Sequence, residues 1–184
     1  MTARPRAVLV AAVAALVTAT LYAAPAYADD VTLTDPADAT GSLSDIRKVT
    51  VRHNVARLTF KIRFTDLRPA SDAGPSSAQI YVDTDSSRNG PEFVLGTGLQ
   101  SGTDYQLARV RGWDGGVGHP SSCPHRLRLD FAANQLRGWI ARRCVQTPER
   151  LRVAIEMNDN YDGSHPITDW LKGPHKWTRW LAAG

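Results

Sequence analysis

The 184-residue chain has little of several features that define whole classes of protein. It holds only two cysteines, which excludes a disulfide-rich miniprotein, and its 42% apolar and 22% charged residues exclude a disordered chain. No apolar run reaches the roughly 20 residues that a membrane-spanning helix requires. The spacings typical of zinc hydrolases, serine hydrolases, phosphate loops and dinucleotide sites are absent as well, so nothing in the sequence indicates catalysis.

The longest uncharged stretch lies at the N-terminus. Arg4 and Arg6 precede the uncharged residues 7–21, and an A-x-A site ends at Ala28. This order is typical of a secretory signal peptide. We therefore expect residues 1–28 to be a signal peptide, the protein to be secreted, and residues 29–184 to form one domain. An uncleaved membrane anchor is the alternative.

The charge of the chain is nearly balanced beyond the predicted signal peptide. Twenty basic and 18 acidic residues remain, a net charge of +2. This balance gives no reason to expect nucleic acid as a partner, or a membrane surface after signal cleavage. Eighteen of the 22 basic residues of the whole chain are arginine, which we interpret as the bias of a GC-rich genome rather than as a binding surface.

Export would place the two cysteines in an oxidising compartment. We therefore predict a disulfide between Cys123 and Cys144. It would close a loop of about 20 residues and constrain the unfolded chain by about 3 kcal/mol in the loop-entropy model. A free nucleophilic cysteine is the alternative.

Apolar and polar residues alternate with a period of two through most of the chain. The pattern predicts a hairpin over 46–67, a second hairpin over 126–140, a strand over 151–157, and shorter strands at 78–83, 92–95, 105–111 and 177–181. No segment has a convincing helical period. One-sided alternation favours antiparallel sheets, so we predict an all-β antiparallel β-sandwich of about eight or nine strands, with a barrel as the alternative.

Acidic residues gather at the predicted turns. Calcium takes about six to eight oxygen ligands in loose geometry, so crowded carboxylates predict a Ca²⁺ site. Ordinary turn chemistry is the alternative, because Asp, Asn and Gly favour turns for backbone reasons alone. The candidate metal ligands are Asp35, Asp38, Asp45, Asp83 and Asp85.

A third acidic cluster, residues 158–163, has part of the spacing of an EF-hand calcium loop. Counted from Asn158, Gly163 stands at the sixth position and Asp169 at the twelfth. An EF-hand usually has Asp first and Glu last, and helices flank it. The segment before Asn158 is predicted to be a strand, so we do not expect an EF-hand here.

Three motifs carry a resemblance to known proteins: Asp35-Pro36 through Asp45-Ile46, Tyr81 through Asp85, and Gly90-Pro91-Glu92. In this order, around two alternating strands, they resemble small exported actinobacterial proteins of unknown function. More distantly they resemble the DOMON-like β-sandwiches, which include family-9 carbohydrate-binding modules. The resemblance covers about residues 31–95. It implies a structural calcium bound by Asp35, Asp38 and Asp45, although Ala37 replaces a glycine that the wider group often has.

The same resemblance implies that carbohydrate-binding members use exposed aromatic rings, which stack on the apolar face of a sugar. Trp113, in the glycine-rich loop 111–116, is the best candidate for an exposed ring, and Trp139 is the second. We expect most of the five tryptophans to pack at the edges of the sandwich.

Three functions remain open. The leading hypothesis is a secreted, non-catalytic β-sandwich with a structural calcium site and an extracellular ligand, such as a polysaccharide. The second is a protein-binding or inhibitory module that presents the loop between the cysteines. The third is a small secreted hydrolase, for which Glu92, Glu149, Glu156 and the histidines are the available acids and bases.

Overall fold

The computed structural model describes residues 28–71, 74–160 and 165–184, and these residues form eleven strands and one short 3₁₀ helix. Apart from Ala28, the predicted signal peptide lies outside the described residues. The elements are β1 (Asp29–Thr34), β2 (Ile46–His53), β3 (Arg57–Phe64), β4 (Ser76–Asp83), β5 (Phe93–Gly98), β6 (Tyr105–Arg109), β7 (His125–Asp130), β8 (Gln135–Ala141), the 3₁₀ helix (Arg142–Val145), β9 (Arg150–Asp159), β10 (Ile167–Trp170) and β11 (Leu181–Ala182).

The strands form two antiparallel sheets. Sheet A has the order β1-β2-β3-β8-β7, and sheet B has the order β10-β9-β4-β5-β6, with β11 also pairing with β9. The predicted all-β antiparallel sandwich is confirmed, and both predicted hairpins are present as β2–β3 and β7–β8. No helix in the described part of the chain combines the length and the apolarity needed to cross a membrane.

The number of strands exceeds the eight or nine that the sequence predicts. Strands β1 and β10 were not predicted, and the strand expected at 177–181 is reduced to Leu181–Ala182. In β10 the inward-facing position is occupied by Asp169, which is buried. A buried carboxylate breaks the apolar alternation by which a strand is recognised, so β10 has no clear signal in the sequence.

The core lies between the two sheets and takes residues from both. In β3, Leu58, Phe60, Ile62 and Phe64 are at most 4% exposed, whereas the residues between them face away from the core. Burial of each such side chain contributes about 1.5–3 kcal/mol. The period of two in the sequence therefore separates a buried face from a solvent face in each sheet.

The predicted disulfide between Cys123 and Cys144 is confirmed, with the two Cα atoms 5.6 Å apart. It joins the segment before β7 to the 3₁₀ helix after β8. The residues it encloses form the β7–β8 hairpin at the edge of sheet A. The enclosed segment is thus part of the sheet rather than a free loop.

The C-terminal residues run along one edge of β9. Strand β10 pairs with one end of β9 and β11 pairs with the other. Between them, the amides of Leu171 and Thr178 donate to the carbonyls of Ile155 and Val153, at 3.0 and 2.8 Å. Residues 172–177 form the loop between these two attachment points.

Candidate functional site

Three carboxylates meet where the loop after β1 contacts strand β10. Asp35 follows β1, Asp38 lies three residues further on, and Asp169 is on β10. One oxygen of each carboxylate lies within 4.8 Å of the others, and no other group of His, Cys, Asp or Glu among the described residues is clustered in this way. Asp35 and Asp169 are buried, and Asp38 is exposed. The cluster is therefore open to solvent on one side.

Hydrogen bonds satisfy only part of this cluster. Asp35 Oδ1 accepts the amide N–H of Lys172 at 2.8 Å, and Asp169 Oδ2 accepts the amide N–H of Ile46 at 2.7 Å. Asp35 Oδ2 is buried and has no hydrogen-bond partner among the described residues. An unpartnered buried carboxylate oxygen is costly, and a bound cation would reduce that cost.

The two buried carboxylates of the cluster both have raised pKa values. Burial raises the pKa of Asp169 to about 6, and the negative charges of Asp35, Asp45 and Asp38 add to this effect. Burial is also the main cause of the raised pKa of Asp35, to which Asp38 and Asp45 contribute. Each of these two buried carboxylates thus resists ionisation, in part because other carboxylates are close. A bound cation would offset both the burial and the mutual repulsion.

Asp45, the third predicted ligand of the N-terminal group, lies beside the cluster with both oxygens engaged. Its Oδ1 accepts the amide N–H of Ala39 at 3.2 Å. Its Oδ2 accepts hydrogen bonds from the Arg47 guanidinium and the Thr65 hydroxyl, at 3.0 and 2.9 Å. These contacts hold the 35–46 loop in place. The third carboxylate beside Asp35 and Asp38 is that of Asp169. In the sequence, Asp169 stood out only as the twelfth position of the partial EF-hand spacing.

Asp83 and Asp85, the other predicted ligands, lie at the far end of β4 from the 35–46 loop. Asp83 is fully buried and pairs with Arg152 at 2.6 Å, and its Oδ1 accepts the amide N–H of Asp85 at 3.0 Å. Hydrogen bonds from Ser87 hold the pKa of Asp85 below its ordinary value. The two acidic groups therefore do not meet at one ion.

Asn158 lies in strand β9 and Asp169 lies in strand β10, whereas helices flank an EF-hand loop. Asn158 accepts a hydrogen bond from Thr168, and Asp159 accepts one from Ser42 at 2.6 Å. Residues 161–164, which include Gly163, lie outside the described residues. The flanking strands agree with the expectation that no EF-hand forms.

Trp113 is half-buried in a cluster of aromatic rings on the outer face of sheet B. Its ring stacks on that of His175 with the centroids 4.2 Å apart, and it also contacts Tyr81, Trp170 and Trp177 at 4.9–5.6 Å. The exposure that the sequence predicts is thus reduced by tertiary contacts. One face of the ring is covered by an imidazole of the same chain.

Close packing of two loops holds Trp113 in this position. Gly90 and Gly112 both have positive φ, and a Cβ on Gly90 would lie 2.7 Å from the Cα of Gly112. Only glycine combines this backbone conformation with so close an approach. The loop before Trp113 is therefore held against residue 90.

Trp139 lies on the opposite side of the molecule, on the outer face of sheet A, and is also half-buried. The guanidinium of Arg57 lies 4.3 Å above the centroid of its ring, a distance typical of a cation–π contact. The two predicted sugar-stacking rings thus lie on different sheets. They do not form one platform.

The groups available for hydrolysis are dispersed. Glu92 lines a depression of about 530 Å³ together with Arg88, Arg109, Arg111 and His119, and burial is the main cause of its raised pKa. Glu92 is the one carboxylate among the described residues that line this depression, whereas glycoside hydrolysis uses two. Glu156 accepts a hydrogen bond from the Tyr81 hydroxyl at 2.8 Å on the outer face of sheet B. The arrangement provides no carboxylate pair in this depression.

The chain matches no family model, no curated protein and no solved structure. The likeness to DOMON-like sandwiches therefore remains a prediction from the sequence motifs. A β-sandwich hosts many unrelated functions, so the fold does not assign one.

Proposed function

We propose that this protein is a secreted, non-catalytic β-sandwich that binds a structural Ca²⁺ and recognises an extracellular polysaccharide. One observation carries the calcium site: Asp35 Oδ2 is buried without a partner among the described residues, in a carboxylate that lies within 4.8 Å of those of Asp38 and Asp169. An uncompensated buried carboxylate is expensive, and a divalent cation offsets that cost for all three groups.

Calcium suits this cluster better than a transition metal does. The three side chains offer hard oxygen ligands, and the set contains no sulfur or imidazole. Exposed Asp38 leaves room for water molecules to complete the coordination. Calcium tolerates such mixed and irregular coordination, whereas zinc prefers a compact tetrahedral site.

A cation bound here would connect two segments that are far apart in the sequence. Asp35 belongs to the loop between β1 and β2, and Asp169 belongs to β10 near the C-terminus. The hydrogen bond from Lys172 to Asp35 already joins these segments. Calcium would therefore stabilise the edge at which the two sheets meet, without taking part in any reaction.

The test is thermal unfolding of the purified protein, with its disulfide intact, in EDTA and across a calcium titration. A ligand that binds only the native state stabilises it by about 2.7 kcal/mol at 100 times its Kd, so the Tm should rise steadily with calcium. The Asp38→Asn variant should lose most of this rise. Asp104→Asn, which removes another exposed carboxylate outside the cluster, should keep it. A wild-type Tm that stays constant up to about 10 mM calcium would remove the calcium site from the proposal.

A further inference from the structure

The outer face of sheet A is strongly basic. Strands β2, β3, β8 and β7 alternate between core residues and residues that point to solvent, and eight exposed basic residues lie on the outer side. We call this surface the basic face. Its cations are Lys48, Arg52, Arg57, Lys61, Arg63, Arg126, Arg128 and Arg137, and its acids are Asp30 and Asp130.

Register places several of these cations directly opposite one another. Arg137 on β8 is paired with Lys61 on β3 and with Arg128 on β7, so three cations form a row across three neighbouring strands. Lys48 on β2 is paired in the same way with Arg63 on β3. Like charges at opposite positions of an antiparallel pair destabilise a sheet. The fold carries this cost at three positions on one face.

Few acids compensate for these charges. Arg137 approaches Asp130 at 3.8 Å, and this is the one ion pair on the basic face among the described residues. Among the described residues, 20 are basic and 16 are acidic. The basic face holds eight of the basic and two of the acidic residues, which leaves 12 basic and 14 acidic residues elsewhere. Although the net charge is near neutral, basic residues are concentrated on this face and most acidic residues lie elsewhere. A local conflict of this kind is expected at functional surfaces rather than at purely structural ones.

We infer that the basic face binds an extended polyanionic glycan, a chain whose sugars carry carboxylate or sulfate groups. This inference names the ligand class within the proposed polysaccharide function and rests on that part of it, but not on the calcium site. The cations are spaced by about 4.8 Å across strands and about 6.8 Å along them. A flexible anionic chain lying across β3, β8 and β7 would therefore meet three positive charges in succession, those of Lys61, Arg137 and Arg128.

The chemistry at the centre of the basic face suits such a ligand. A shallow depression of about 350 Å³ is lined by Lys61, Arg128, Arg137 and Trp139, among others. Arginine binds planar carboxylate and sulfate groups through two parallel hydrogen bonds. The hydroxyl of Thr59, in the same depression, can bond to the sugar hydroxyls between the charged groups. Charge neutralisation would also relieve the repulsion between the paired cations.

Other polyanions fit the basic face less well. Sites for single-stranded nucleic acid use free aromatic rings on which bases stack, and Trp139, the aromatic ring on this face, is covered by Arg57. Binding to an anionic membrane surface is strengthened by apolar side chains that insert between the lipids. The exposed large apolar residues among those described are Leu43, Val55 and Val117, and none of them lies in a strand of sheet A.

The experiment measures binding of the whole protein to heparin and to polygalacturonate, at about 50 mM and about 500 mM NaCl, in calcium and in EDTA. A neutral glucan, single-stranded DNA, duplex DNA and phosphatidylserine vesicles are tested in parallel. We expect saturable binding to at least one acidic glycan that weakens at high salt. Tighter binding to DNA or to vesicles than to either glycan would overturn the inference, and so would binding to the neutral glucan alone.

Matched double variants locate the site. Lys61→Gln with Arg128→Gln removes two charges from the basic face, and we expect affinity for the acidic glycan to fall by about tenfold or more. Arg88→Gln with Arg111→Gln removes two exposed charges from the depression that Glu92 lines and should leave the affinity within about twofold. The first variant should also keep or raise the Tm, because it removes two like-charge pairs.

The outcomes separate the two proposals. Equal weakening by both double variants would show that net charge, and not the basic face, governs binding, and would overturn the inference. A Tm that ignores calcium together with normal glycan binding would overturn the calcium site alone. Binding to the neutral glucan alone would retain the polysaccharide function but remove the anionic ligand. Failure to bind any glycan would overturn the inference together with the polysaccharide function.

Discussion

The imidazole of His53, buried on the inner face of β2, lies 3.0 Å from the carbonyl oxygen of Leu181 in the last strand. A carbonyl can only accept a hydrogen bond, so Nδ1 carries the proton and donates it. Nε2 is buried without a partner among the described residues. This contact joins sheet A to β11, the strand that pairs with one end of β9.

The His53 contact predicts a pH dependence of stability. Burial, the main cause, lowers the pKa of His53 below its ordinary value of 6.5, and the charge of Arg142 adds to the shift. Below about pH 6.5 the unfolded chain takes up a proton that the folded chain resists. Stability is therefore complete above that pH and is lost as the pH falls toward the folded pKa. We expect the Tm of the wild type to fall more between pH 7 and pH 5 than that of His53→Gln.

The control for this prediction is His119→Gln, which replaces an exposed histidine. It should follow the wild-type curve across the same range. In His53→Gln the new side-chain amide can still donate to the Leu181 carbonyl, so the variant tests titration rather than the loss of the hydrogen bond. Parallel curves for the wild type and His53→Gln would refute the assignment of this pH dependence to His53.

Asp169→Asn should separate the metal-free from the calcium-bound protein. Burial and three neighbouring carboxylates raise the pKa of Asp169 from 3.8 to about 6, so metal-free stability that is present at low pH is lost as the pH rises through about 6. At pH 7 in EDTA, the neutral amide should raise the Tm by about 2–4 °C, the shift that about 1 kcal/mol gives a chain of this size. The same variant should lose the stabilisation by calcium.

Asp83→Asn provides the comparison for Asp169→Asn. Asp83 pairs with the partly buried Arg152 at 2.6 Å, and loss of one partner of a buried ion pair destabilises by about 3 kcal/mol. The loss should be equal in calcium and in EDTA, because Asp83 lies outside the carboxylate cluster. An Asp169→Asn variant that responds to calcium like the wild type would exclude Asp169 as a ligand.

Trp113→Ala should affect stability and not the binding of acidic glycans. The ring packs against His175 and Trp177, so its removal should lower the free energy of unfolding by about 2 kcal/mol. The basic face is on the other sheet, so retention on heparin or polygalacturonate should be unchanged. Loss of retention in a variant that remains folded would place the glycan at the aromatic cluster instead.

Most strands that alternate regularly could be predicted from the sequence, because their signal is local; the short strand β1 is the exception. In β3, Leu58 to Phe64 place an apolar side chain at every second position, and the same holds for β9. Strand β10 could not be predicted, since its inward position holds Asp169. That carboxylate is buried and lies within 4.8 Å of the carboxylate of Asp35, and this proximity joins residues that are far apart in the sequence.

Only part of the candidate site could be predicted from the sequence. Asp35 and Asp38 lie three residues apart, so their proximity follows from the sequence itself. Asp45 belongs to the same acidic segment, yet Arg47 and Thr65 occupy its carboxylate. Which oxygens remain free depends on hydrogen bonds that form only in the folded chain.

The sequence by itself determined the alternation within most strands and the single possible pairing of Cys123 with Cys144, since both depend on local pattern and on composition. The tertiary structure alone decided that β3 and β8 are neighbours, and thereby that Lys61 faces Arg137. Strand order arises from contacts between residues far apart in the chain. A local period of two carries no information about such contacts. Charges that look balanced along the sequence are therefore concentrated on one face by the order in which the strands pair.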